Sequence, residues 1–301
     1  MSAAHHHHLH AHKKGDAQHL HYREDHTKGI LLTALLLTFI FAGVEVFAGF
    51  WADSLALISD AGHMVTDAAS LGLALLAQII AKRPPSSKNS FGFGRAESLA
   101  AFVNGIAMLV LVIWIGLEAI TRFNDPHPVA GQAVTIVAFI GLCINIIVAW
   151  VLSKDKKSVN TKAALVHVMG DLLGSVAALV AGIVIQQTGW MQIDPILSLF
   201  VCVLLLRSTI EILKESYHFL MEGVPHHIDY ELVGEELAQV DGVISVHDLH
   251  IWEMTPGHPA LIGHVEVREL QDWPITLEEI HKVLRDKHGI DHVTLQPEMP
   301  S

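Results

Sequence analysis

The chain holds 301 residues, 51% of them hydrophobic, and carries a formal net charge of −12 at pH 7. That apolar share, with a mean hydropathy of +0.42, leaves room for a membrane bundle plus one small soluble domain. The acidic balance excludes a footprint for nucleic-acid phosphates, and the two cysteines, Cys143 and Cys202, both inside apolar stretches, exclude a disulfide framework or a CxxC metal site.

Residues 1–28 read as a disordered, His-rich cytoplasmic leader containing His5, His6, His7, His8, His10, His12, His19, His21 and His26. Neutral imidazoles at this density bind Zn²⁺ loosely, and the interruptions at Leu9 and Ala11 point to a native metal-collecting tail rather than an expression tag. No cleavable signal peptide is expected, because the first apolar run begins only after this leader. Six apolar spans then fill residues 29–213: Ile30 to Trp51, Ser54 to Ala81, Glu97 to Thr121, Val129 to Leu152, Thr161 to Gln187 and Ile193 to Leu213. Each is near or above the length of about 20 residues that crosses the hydrocarbon core.

Basic residues set the orientation. Lys13, Lys14, Arg23 and Lys28 precede the first span, Lys82, Arg83, Lys88 and Arg95 follow the second, and Lys154, Lys156, Lys157 and Lys162 follow the fourth. The opposite loops hold Asp53, Asn124, Asp125, His127 and Gln186, with Arg122 as the only nearby cation. The positive-inside rule therefore places both termini in the cytoplasm.

Two spans carry the same H-x-x-x-D spacing, His63 with Asp67 and His167 with Asp171. Residues i and i+4 stack on one helix face, so each helix offers an imidazole nitrogen and a carboxylate oxygen to a common point. Four such ligands make an N2O2 tetrahedron that suits Zn²⁺ and accepts Co²⁺ or Cd²⁺ less selectively. At 1.5 Å per residue both pairs fall about 17–18 Å from the ends of their spans, near mid-bilayer. Antiparallel helices would bring His63 to the level of Asp171 and Asp67 to that of His167. Packing alone gives no reason to repeat carboxylate plus imidazole at one spacing, and ionisable groups at that depth are functional by default.

From Lys214 onward 5 basic residues face 17 acidic ones, so residues 214–301 form an acidic soluble domain. Its pattern predicts an α-β-β-α-β order: a helix over Tyr230 to Val240, strands over Val243 to Met254 and Ala260 to Val267, a helix over Thr276 to Lys287, and a strand over Val293 to Gln296. Thr276 and Glu279 are spaced as a capping box, and Gly289 as a helix stop. Strand alternation puts His247 on a face with Leu249 and Ile251, and His264 on a face with Ile262 and Glu266. If those strands pair in register the two imidazoles meet, and Glu298 completes a candidate regulatory or stabilising metal site.

Four segments carry a resemblance to a known family: SLALISDAGHMVTDAASLGLALLA (Ser54 to Ala77), FGFGRAESLAAFVNG (Phe91 to Gly105), LMEGVP (Leu220 to Pro225) and VHDLHIWEM (Val246 to Met254). Together they resemble the cation diffusion facilitator family, close to its bacterial exporters of the zinc/cadmium/cobalt resistance group, over residues 29–299. The resemblance implies a homodimeric secondary antiporter in the bacterial inner membrane that carries zinc out of the cytoplasm in exchange for protons by alternating access. It also implies a cytoplasmic domain of ferredoxin-like fold. By motif, His63, Asp67, His167 and Asp171 are similar to the family's transport site, with zinc preferred over cadmium. His247, His264 and Glu298 are similar to ligand positions of the cytoplasmic domain, where Gln296 replaces a His of some relatives. Arg95 and Glu222 match positions that form a charge pair near the cytoplasmic membrane surface in related dimers. Two rival readings differ in class. A membrane zinc sensor or buffer would not need a complete tetrad at mid-bilayer, and a membrane zinc peptidase would need the HExxH this chain lacks. No P-loop is present to supply ATP as an energy source.

Overall fold

The computed structural model describes residues 36–153 and 159–300, with the side chains of 159–164, 166 and 167 outside that set. The leader, the start of the first span at Ile30, and Lys154, Lys156 and Lys157 lie outside the described residues, as does the Lys162 side chain.

Six apolar helices run in chain order: α1 (Leu36–Ala52), α2 (Leu55–Ala81), α3 (Ala96–Asn124), α4 (Gly131–Ser153), α5 (Val159–Thr188) and α6 (Ile193–Leu220). Five of them, α2 to α6, are long and apolar enough to cross a bilayer, and α1 is shorter within the described residues. Their outward faces carry large apolar side chains such as Leu75, Val110, Leu117 and Phe139, which suits lipid as the solvent. The α6 helix outruns its predicted end at Leu213 and continues to Leu220. Apolar length marks where the chain crosses hydrocarbon, whereas a helix continues as long as its backbone bonds are satisfied.

The described residues divide into two compact units, one reaching to Ala68 together with Ile113–Val203, the other Ala69–Val112 with Leu204 onward. In the first, small residues allow close approach: Ala48, Ala52 and Ala56 pack with Ala138, Ala178 and Ala181 around Leu57 and Val134. The N-terminus of α2 is held from outside its own helix. Asp194 accepts hydrogen bonds from the Ser54 hydroxyl (2.6 Å) and from the Leu55 (2.7 Å) and Ala56 (3.3 Å) amides. A buried carboxylate thus satisfies first-turn donors that hydrocarbon could not.

In the second unit α6 leads to α7 (Tyr230–Ala238), β1 (Val243–Thr255), β2 (His258–Val267), a 3₁₀ turn at Leu270–Asp272, α8 (Trp273–His288) and β3 (His292–Glu298). This is the predicted α-β-β-α-β order. The sheet runs β1-β2-β3, with β1 antiparallel and β3 parallel to β2. Val233 and Leu237 of α7 and Ile280 and Leu284 of α8 pack on Leu249, Ile251, Leu261 and Val265 of the sheet. Each such fully buried side chain stabilises the domain by about 1.5–3 kcal/mol. Asp229 caps α7 through the Glu231 and Leu232 amides. At the far end of this helix pair Glu236 bonds Lys287 (3.0 Å) and His288 (2.8 Å), and the Lys287 ammonium with the His288 ring holds its carboxyl below the usual range.

Two local expectations fail. No capping box forms at Thr276, because α8 already begins at Trp273 with Pro274 in its first turn, and the Thr276 hydroxyl donates to the Asp241 carbonyl instead. His247 does not share a face with Leu249 and Ile251. Asp248 has φ 49° and sits where the β1–β2 register shifts between His247 and His250, so one extra residue moves the core parity from Val246 to Leu249. Gly289 does end α8 in the left-handed conformation, at φ 67°.

Candidate metal sites

On α2, His63 lies between two carboxylates. Its Nδ1 is 3.3 Å from Asp67 Oδ2 one turn on, and its Nε2 is 3.6 Å from Asp171 Oδ1 of α5. One ligand atom from each residue lies within 4.8 Å of the others. In a tetrahedron with bonds of about 2.0 Å the ligand atoms stand about 3.3 Å apart, so a small inward movement suffices to hold an ion. Asp171 is buried at 1% exposure, and His63 and Asp67 keep 16% and 25%. The His63 to Asp171 proximity is the crossed arrangement that antiparallel pairs would give. His167 is on α5, one turn before Asp171 and on the same face by backbone geometry, and its side chain lies outside the described residues.

A polar layer that the sequence reading missed supports this site. Asn145 of α4 donates from Nδ2 to Ser175 Oγ (3.1 Å), and Ser175 donates to Asp60 Oδ2 (3.1 Å). A Cβ on Gly174 would collide with the Asp60 carboxylate, so any side chain at that position would displace it. Asp60 stands three residues before His63 and Ser175 four after Asp171, spacings that mark them as neighbours on the ligand-bearing faces and were readable from the sequence.

The sheet holds a second cluster. His247 and His264 are register partners, with ring centroids 5.4 Å apart and edge-on. Glu298 reaches both, Oε2 at 3.3 Å from His247 Nε2 and Oε1 at 3.0 Å from His264 Nδ1. Gln296 donates to Glu298 Oε1 at 3.1 Å. Ligand atoms of the three residues again lie within 4.8 Å of one another, on a half-exposed face. Arg95 and Glu222 form an ion pair within the one chain at 2.8 Å, with Glu222 at φ 58°.

Comparison with known proteins bears on the chain as a whole. The family model for the cation efflux transmembrane domain matches residues 31–221, and that for the cation efflux protein cytoplasmic domain matches residues 225–300. The zinc transporter ZitB of Escherichia coli is 43% identical over 92% of this chain and 90% of its own. A cadmium, cobalt and zinc/H(+)-K(+) antiporter of Bacillus velezensis is 39% identical over 92% of this chain and 91% of its own. The metal cation efflux system protein CzcD of Cupriavidus metallidurans is 39% identical over 94% and 90%. With both domains matched and nearly the full length shared, the chain belongs to the cation efflux family, a family of multi-pass membrane transporters rather than enzymes.

Proposed function

We propose that the protein exports Zn²⁺ from the cytoplasm in exchange for protons, with His63, Asp67, His167 and Asp171 as the ligands that carry the ion across by alternating access. The observation that carries this reading is the approach of His63, Asp67 and Asp171 to within 4.8 Å inside an apolar bundle. Zinc is the substrate here, and the same ligands accept Co²⁺ and Cd²⁺. The names of the relatives, a zinc transporter and a cadmium, cobalt and zinc antiporter, support the same class of cargo.

The energetics require a driving ion. Moving a divalent cation out against an inside-negative potential costs about 4.6 kcal/mol per 100 mV, and one returning proton offsets about half. Protons also act at the ligands, because a protonated imidazole has no lone pair for metal. The site belongs to a bacterial inner-membrane protein with both termini in the cytoplasm, working as a homodimer. In that dimer the Arg95 to Glu222 pair tethers the end of α6 to the segment before α3. His247, His264 and Glu298 take a further Zn²⁺ with a regulatory or stabilising role. The leader raises local metal concentration without joining the path.

Binding without transport, as in a sensor or buffer, gives no reason for ligands buried between spanning helices, which favours transport. Zinc and pH dyes read together in proteoliposomes test the proposal. Zinc movement with an opposing proton signal, accelerated by acid on the receiving side, is the expected result. Metal binding without flux would leave only the buffer, and flux at clamped potential without a proton signal would remove the exchange.

A further inference from the structure

Glu45 is the only ionisable side chain of α1, it is fully buried, and neither of its carboxylate oxygens has a hydrogen-bond partner among the described residues. The α4 backbone presses on it, since a Cβ on Gly141 would come within 2.9 Å of Glu45 Oε1. One turn further along α4, Asn145 offers a side-chain oxygen that is likewise without a partner, while its amide begins the chain through Ser175 to Asp60. Four helices, α1, α2, α4 and α5, therefore place two carboxylates, an amide and a hydroxyl in one polar layer. The charged groups acting on Glu45 are Asp60 from α2 and Asp171 from α5, while α4 carries no Asp, Glu, His, Lys or Arg.

Such a carboxylate needs a partner. An ionised group left alone in hydrocarbon costs several kcal/mol, and here the neighbouring charges have its own sign. A second metal ion does not fit, because Glu45 belongs to no set of three or more ligands within 4.8 Å among the described residues. A proton requires one oxygen only. It would also remove one of the layer's two negative charges when the metal site is empty, and a divalent ion held by Asp171 would reduce that need by supplying positive charge nearby.

We propose that Glu45 is a dedicated proton-binding group of the exchange, distinct from the metal ligands. The assignment rests on the zinc–proton reading above. In the metal-free, outward-open state the Glu45 carboxylate takes a proton from the outer compartment, forming the neutral acid. When zinc refills the tetrad from the cytoplasm, the O–H bond breaks and the proton leaves to the cytoplasmic side. The coupling is reciprocal: whatever free energy metal occupancy subtracts from protonation of Glu45, protonation subtracts from metal binding. Protons on the imidazoles compete with metal for the same atoms, whereas Glu45 gives the returning ion a place of its own.

The test uses the full chain in proteoliposomes, with zinc and proton fluxes read together, and Zn²⁺ affinity measured in detergent. Glu45→Gln keeps the shape and removes the titration. Its Zn²⁺ binding should weaken by no more than the coupling to that proton, zinc–zinc exchange should persist, proton-driven net export should fall about tenfold or more, and the pH profile of flux should flatten. Glu45→Asp should restore coupling with a displaced pH profile, which a purely structural role would not produce. A Glu45→Gln protein with wild-type proton coupling overturns the assignment, as does one that loses zinc affinity as a ligand variant would. Infrared difference spectra of the wild type keep the idea testable if the variant fails to insert. A protonated-carboxyl band should disappear on zinc addition, and its absence rules the assignment out. Zinc flux without any proton signal in the wild type instead defeats the exchange itself.

Discussion

The two metal clusters use the same chemistry in opposite surroundings. In the bundle, His63 stands between the carboxylates of Asp67 and Asp171, and in the sheet, the carboxylate of Glu298 stands between His247 and His264. The first set has two acids to one described imidazole and sits among apolar helices. The second has one acid to two imidazoles on a face that water reaches. Removing a divalent ion leaves two carboxylate charges among apolar helices in the first and one, which water can solvate, in the second, so emptying the bundle site calls for a replacement cation while emptying the sheet site does not. On the proposed reading, coupling to protons is therefore expected of the buried cluster and not of the exposed one.

The largest expected effect lies in the bundle. Asp171→Ala removes the most buried ligand and should lower zinc transport in proteoliposomes more than about 100-fold, since losing even the residues that orient metal ligands typically costs 10–100-fold. Gel filtration and helix content should match the wild type. Retained transport would dissolve the contrast between the two clusters. In the sheet, His247→Ala should leave maximal flux intact. It should abolish the stabilisation by added zinc, about 2.7 kcal/mol at a metal concentration 100 times the dissociation constant, as read from thermal unfolding of the cytoplasmic part. A variant that melts with the wild-type zinc shift would mean that metal binds elsewhere.

Asp194→Ala lies between these in character, because it touches neither cluster yet removes the group that holds the first turn of α2. Loss of a cap costs about 0.5–2 kcal/mol. The expected outcome is a lower melting temperature in detergent and weaker zinc binding at His63 and Asp67, which α2 carries, with metal selectivity unchanged.

Much of this was legible in the sequence because periodicity and burial agree in a membrane. The spans and the H-x-x-x-D pairs needed only length and spacing, and the α-β-β-α-β order followed from turn residues and alternation. What escaped notice depended on contacts between elements distant in the chain. Asp194 and Ser54 are far apart in sequence, and Asp60, Asn145 and Ser175 come from three different helices. The face of His247 was misread for another reason: an extra residue at Asp248 breaks the period of two, and its only trace is the three-residue step between the core positions Val246 and Leu249.

The smallest effect expected is at a contact that includes no metal ligand, where Glu236 joins α7 to α8 through Lys287 and His288. The Lys287 and His288 bonds hold the Glu236 carboxyl below its ordinary range, so the folded state prefers the ionised form more than the unfolded chain does. That preference adds stability at pH above the unfolded value, and the gain is lost as pH falls through the lowered folded value. Glu236→Gln should therefore melt slightly earlier than the wild type at neutral pH, and the two curves should converge in acid. Salt should narrow the gap, because the Lys287 side of the interaction is open to solvent. Followed through the fluorescence of Trp252 and Trp273, a difference that grew on acidification would mean that the bond to Lys287 is not the source of the shift.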